Sequence, residues 1–93
     1  MEKRNCTIES NRAVAPGVYQ MTLTAAGDLR HRCGQFVEVA VPGRYLRRPL
    51  SVSLSDESSL TLRYKVVGEG TAQLSTLPAG VSLEVITGLG NGY

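Results

Sequence analysis

Two short segments carry the residues best suited to chemistry, Arg48-Pro49-Leu50-Ser51 and Gly68-Glu69-Gly70-Thr71. An arginine offers planar, paired N–H donors that match two oxygens of a phosphate or pyrophosphate. Glycines ahead of a helix let a ligand approach the backbone, and the amides that open a helix favour an anion. Pro49 restricts the preceding residue to extended backbone, which fixes the direction from which Arg48 reaches out. Glu69 is acidic and must point away from any phosphate held there. The same residues equally describe a plain strand-to-helix turn and a solvated arginine rim, and short matches of this kind arise by chance.

Other chemistries lack their parts. Cys6 and Cys33 form no closely spaced pair, and His31 is the single histidine. A zinc or iron–sulfur site wants four ligands, so these read as two ordinary thiols and a surface imidazole. No serine stands in a G-x-S-x-G turn, and no Cys/His nucleophile pair is available. Neither a metal ligand set nor a catalytic residue is expected from this chain.

The elements that position the two segments are strands. Tyr19, Met21, Leu23 and Ala25 alternate with polar residues, as do Leu50, Val52 and Leu54, and then Leu60, Leu62, Tyr64 and Val66. Val37, Val39 and Val41 share one face of a fourth run. Val81, Leu83 and Val85 form a shorter one, and Cys6 with Ile8 a weak one. A period of two with one apolar face marks antiparallel strands around a single core. Turn residues separate the runs at Pro16-Gly17, Gly27-Asp28, Pro42-Gly43, Asp56-Glu57-Ser58 and Pro78-Ala79-Gly80. About six short strands in this length predict a small all-β barrel or sandwich. The exception is 71–77, where Leu74 and Leu77 are three apart, Thr71 suits an N-cap and Pro78 stops the run. A short helix of about two turns is expected there, held by packing because it is marginal alone.

Register then groups the polar residues. If 50–55 and 60–66 form a hairpin, burying both apolar faces requires pairs whose numbers sum to an even value. A three-residue loop at Asp56, Glu57 and Ser58 satisfies this. It sets Leu54 beside Leu60, Val52 beside Leu62 and Leu50 beside Tyr64. On the other face Ser51 meets Arg63, and Ser53 meets Thr61. Arg47, Arg48 and Lys65 flank this face, which makes a cationic, hydroxyl-lined strip converging on the glycine turn.

Composition bounds the rest. The chain has 93 residues, 42% hydrophobic and 19% charged, enough for one modest core and too apolar for disorder. Ten Lys/Arg against eight Asp/Glu leave a net charge of +2, too mild to indicate nucleic acid by itself. No apolar run approaches the roughly 20 residues of a membrane span, and the N-terminus leads into no signal sequence. A soluble cytoplasmic domain is expected.

Arg48-Pro49-Leu50-Ser51 resembles the arginine–serine signature of the ferredoxin-reductase-type FAD-binding barrel. Together with Leu46-Arg47-Arg48-Pro49-Leu50-Ser51-Val52, Val67-Gly68-Glu69-Gly70-Thr71 and Gly88-Leu89-Gly90-Asn91-Gly92-Tyr93, it is similar to the electron-transfer subunits of the NAD-linked, iron–sulfur (type B) dihydroorotate dehydrogenases. That resemblance implies an all-β, six-stranded antiparallel Greek-key barrel with one short helix near 71–77. It implies FAD as cofactor, with Arg48 on the pyrophosphate and Gly70 and Thr71 giving it backbone donors. Leu50 would lie against the isoalloxazine. Ser51 would hydrogen-bond near flavin N5. Arg63, Tyr64 and Lys65 would line the isoalloxazine and ribityl region, largely through main chain, and Pro49 belongs to the same set.

By the same resemblance, residues 1–93 are the FAD-binding domain at the N-terminus of a longer subunit. NAD and a [2Fe–2S] cluster are then expected only in the full-length protein. Gly88-x-Gly90-x-Gly92 is no dinucleotide fingerprint, since no βαβ unit follows it. The whole protein would pass electrons between NAD(H), FAD and the cluster for dihydroorotate oxidation in pyrimidine biosynthesis, partnered by the dehydrogenase's catalytic subunit. A different reading is a small barrel that binds single-stranded nucleic acid or docks a partner. It rests on Arg44, Arg47, Arg48, Arg63 and Lys65. The few aromatics, Tyr19, Phe36, Tyr45, Tyr64 and Tyr93, are its weakness, because such modules stack bases on aromatic rings.

Overall fold

The alternating runs do become strands. In the computed structural model, which describes residues 2–25, 36–41, 47–55 and 59–87, they form β1 (Glu2–Ala15), β2 (Val18–Thr24), β3 (Phe36–Ala40), β4 (Arg47–Ser55), β5 (Ser59–Lys65) and β6 (Ser82–Thr87). A single helix, α1 (Glu69–Ser75), lies between β5 and β6. The strands close into an antiparallel barrel in the order β1-β2-β5-β4-β3-β6. The run β3-β4-β5 is a meander, and β6 returns past α1 to pair with β3, which is the Greek-key connection expected. Among the described residues each strand pairs with a neighbour on both sides along at least part of its length. The turns at 27–28, 42–43 and 56–58, together with Arg44, Tyr45, Leu46, His31, Cys33 and the 88–93 motif, fall outside the described residues.

The core is the set of inward positions the alternation marks. Met21, Leu23, Val37, Val39, Leu60, Leu62 and Val85 are all fully buried. At roughly 25 cal/mol per Å² of apolar surface removed from water, side chains of this kind contribute about 1.5–3 kcal/mol each. Cys6 is a free thiol in this core. Burial pushes its pKa up, and nearby Arg4 partly offsets the rise.

Three local expectations change. First, β1 is 14 residues long rather than a fragment around Cys6 and Ile8. Its first half pairs with β6 and its second half with β2, with an irregularity between Ile8 and Ser10 where it turns from one neighbour to the other. Second, the helix begins two residues before Thr71, with Gly68 as N-cap, so Thr71 is the third helical residue. Its hydroxyl accepts hydrogen bonds from the Val67 and Gly68 N–H groups (2.9 and 3.2 Å) and caps the turn from inside. Third, the even-sum register holds at Ser51↔Arg63 and Val52↔Leu62 but is broken by a bulge, so Leu54 faces Thr61 and Ser55 faces Leu60. The extra residue turns Leu54 out to 70% exposure while Leu60 stays inside. Ser53 therefore does not meet Thr61.

Candidate functional site

The β4–β5 ladder stops at Ser51↔Arg63. Beyond that pair, Leu50 is matched with Val37 on β3, and Tyr64 with Tyr19 on β2. The expected Leu50–Tyr64 pairing is thus replaced by a split between the two strands. Pro49, which has no N–H to give a ladder, sits on the β4 side of it. The split opens a cleft of about 330 Å³, lined by Arg48, Pro49, Leu50, Ser51, Arg63, Tyr64, Lys65, Val67 and Thr71. This volume lies near the low end of the 300–1,000 Å³ typical of ligand clefts, enough to seat part of a large cofactor.

Strand alternation decides which arginine enters. Arg48 lies opposite inward-facing Val39, whereas Arg47 lies opposite Ala40 on the outer face. Arg47 pairs with Glu84 there, so it does not belong to the cationic strip assigned to it. Arg48 reaches instead across the mouth of the barrel to α1. A Cβ built on buried Gly70 would lie 2.8 Å from Arg48 Nε and 3.6 Å from its Cζ. The two expected anion-binding segments therefore meet, and Gly70 makes room for the guanidinium rather than lining the cleft itself. Among the described residues no carboxylate pairs with Arg48, and the lining set contains none. Its cations are Arg48, Arg63 and Lys65.

The helix contributes less than its sequence promised. It has seven residues, and the Val67 and Gly68 amides are already taken up by the Thr71 hydroxyl. Ala72 N–H makes the first intrahelical bond, to Gly68 O at 2.9 Å, so the Gly70 and Thr71 amides precede it. The charge available to an anion comes from the cleft's side-chain cations, with Arg48 the one set against α1.

Tyr64 lines the cleft with its ring turned inward. It is 4% exposed and stacks on Tyr19, with ring centroids 5.9 Å apart. Its O–H donates to Asn11 Oδ1 at 2.8 Å. Burial pushes its pKa up to about 12, and the neighbouring Tyr19 adds to the rise. Arg63 donates to Gln20 Oε1 at 3.0 Å on the outer surface, beside exposed Ser51. Eight of the nine expected site residues thus line one cleft, with Gly70 directly behind it. Val67, 77% exposed, lines it as well and was missed, although it adjoins the glycine motif. Asn11 was also missed. The two described tyrosines available for base stacking face inward onto one another, which removes that support from a nucleic-acid reading.

No family model matches the chain. It is 39% identical, over 98% of its length, to the dihydroorotate dehydrogenase B (NAD(+)) electron transfer subunit of Caldanaerobacter subterraneus subsp. tengcongensis. It is 40% identical, over 94% of its length, to the subunit of the same name from Enterococcus faecalis. The chain is a homologue of these electron transfer subunits. It spans 37% and 35% of their respective lengths. Among solved structures, the cytochrome P450 reductase GcoB of Amycolatopsis superposes with a TM-score of 0.78 at 27% identity, covering 91% of this chain and 28% of that one. A siderophore-interacting protein from Acinetobacter baumannii shares the fold alone, with a TM-score of 0.76 at 15% identity, over 94% of this chain and 40% of its own. The homologous barrel is of the ferredoxin-reductase-like kind that the motifs implied. No helix among the described residues is long and apolar enough to cross a membrane, and no cluster of metal-ligating side chains occurs among them.

Proposed function

We propose that this chain is a flavin-holding module whose cleft between β4 and β5 seats FAD. The observation that carries the reading is the meeting of Arg48 and Gly70 at the mouth of a split between paired strands. The donor set fits the cofactor. Arg48 is half-buried, faces no carboxylate among the described residues, and has the planar fork that suits a pyrophosphate. The Gly70 and Thr71 amides precede the first intrahelical bond and would add donors to that group. The β4 and β5 edges facing the split offer main-chain groups from Leu50, Tyr64 and Lys65 to a planar ring, next to the Ser51–Arg63 pair that ends the ladder. Leu50 supplies apolar surface, and Ser51 a hydroxyl for the ring's polar edge. Pro49 holds Arg48 extended.

When bound, FAD supplies hydride and electron chemistry that protein side chains lack. The chain's own part is to bind, orient and shield. Tyr64 shapes the wall by its buried ring, since its hydroxyl is already engaged with Asn11. In this reading the complete subunit would pass electrons between NAD(H), FAD and a [2Fe–2S] cluster in dihydroorotate oxidation, which the relatives' names support. NAD and the cluster would then be held outside residues 1–93, with a dehydrogenase catalytic subunit as the proposed partner and the cytoplasm as the proposed location.

Mixing the chain with FAD, removing free ligand and recording the flavin absorbance tests the reading. Retained, spectrally shifted flavin supports it. Free flavin together with salt-dependent binding of a single-stranded oligonucleotide would replace it with the nucleic-acid alternative.

A further inference from the structure

Asn11 occupies an inward position on β1, opposite fully buried Met21, where the barrel otherwise places apolar side chains. A half-buried amide at such a place is costly unless its groups are paired. Both ends are used. Its Nδ2 donates to Leu74 O at 2.8 Å and to Leu77 O at 3.0 Å, and its Oδ1 accepts from the Tyr64 hydroxyl. Leu74 and Leu77 lie at the end of α1 and just beyond it, where carbonyls run out of helical donors. Leu74 O also accepts from Leu77 N–H, so a single side chain stitches the exit of the helix to the barrel interior.

The other end of the same helix holds Gly70 against Arg48 and places Thr71 in the cleft wall. A two-turn helix has little stability of its own, so its position depends on tertiary contacts. Its apolar anchor is Leu74, fully buried in the core. An apolar contact resists lifting but fixes rotation and sliding poorly, whereas two directional hydrogen bonds from Asn11 fix both. A helix that slides moves Gly70 relative to Arg48.

We propose that Asn11 is a positioning residue for the cofactor cleft. By donating to the Leu74 and Leu77 carbonyls it sets α1 in the barrel mouth, and with it the seat of the Arg48 guanidinium. The inference rests on the FAD reading for its ligand but stands on its own for the helix.

The test compares Asn11→Ala with Leu60→Val, which loosens the core near the loop end of the β4–β5 hairpin, away from the split. FAD affinity is measured by titration at a temperature where circular dichroism shows each variant folded. Amide hydrogen exchange is followed across α1 and the strands. Asn11→Ala is expected to weaken FAD about tenfold, the scale of a few lost hydrogen bonds, and to speed exchange in α1 while strand amides are unchanged. Leu60→Val is expected to leave FAD affinity within about threefold of wild type. If Asn11→Ala does not fold, Asn11→Ser, too short to reach both carbonyls, carries the same expectation. Unchanged α1 exchange with unchanged FAD affinity overturns the proposal, as does an equal loss of affinity in Leu60→Val. If the wild-type chain binds no FAD, the flavin reading fails, and α1 exchange alone decides the positioning role.

Discussion

Gly70 lies directly against Arg48: a methyl group placed on its Cα would come within 2.8 Å of Arg48 Nε and 3.5 Å of Cγ. The neighbour is the mobile end of a long side chain rather than backbone, so a substitution there is relieved by moving the guanidinium. Gly70 sits within α1, where alanine is favoured over glycine by up to about 1 kcal/mol. Gly70→Ala is therefore expected to leave thermal stability unchanged or slightly raised while weakening FAD binding several-fold, as about 1 kcal/mol of misplaced arginine contact would do. Thermal melts and flavin titrations on the same preparation check both halves. A parallel loss of stability and affinity would show that the glycine serves the fold instead.

Arg47 supplies the contrast to its neighbour. It pairs with Glu84 on the outer face, both side chains about a third exposed, and its buried Nε has no hydrogen-bond partner among the described residues. Exposed ion pairs of this kind contribute about 0–1 kcal/mol. Arg47→Ala is expected to change stability by no more than that and to leave FAD affinity as it is. A large loss of flavin on removing Arg47 would mean that the wrong arginine has been placed in the cleft.

Tyr64 sets a stability limit at high pH. Its buried hydroxyl ionises near pH 12 in the folded chain against about 10 when unfolded. Because the folded value is raised, the stabilisation is complete below pH 10 and is lost as pH climbs from 10 towards 12. The unfolding free energy from denaturant titration is expected to fall across that window, by about 3 kcal/mol in all. Tyr64→Phe removes the titrating group and flattens this part of the profile. At neutral pH the same change costs about 1–2 kcal/mol, because it leaves Asn11 Oδ1 without its donor. An alkaline decline equally steep in Tyr64→Phe would assign it to other groups.

Much of this arrangement was legible because alternation is a physical constraint: burying Met21, Leu23, Leu60 and Leu62 leaves each strand one choice of face. The same constraint brought Ser51 beside Arg63, and the ladder bears that pair out. What escaped has equally physical causes. A bulge adds one residue with no compositional mark, so Leu54 looked like core. Thr71 has the side chain of a good N-cap, yet it serves from the third helical position by reaching back to the two amides before it. Strand β1 was nearly invisible, because its inward row includes polar Asn11, whose partners lie 53, 63 and 66 residues away along the chain. Nothing local reports such a contact. The doublet Arg47-Arg48 separates only once the strand is laid against β3 and the two guanidinium groups face opposite ways.

The role of Arg48 is tested most directly by titrating FAD into the wild-type chain and into Arg48→Ala, with Arg48→Lys as a third arm. Loss of the guanidinium is expected to weaken FAD by about 1.5–3 kcal/mol, the usual worth of a charged hydrogen-bonding group. Lysine should restore only part, since it keeps the charge without the paired planar donors. Equal affinity in all three proteins would contradict the placement of the cofactor's diphosphate at Arg48.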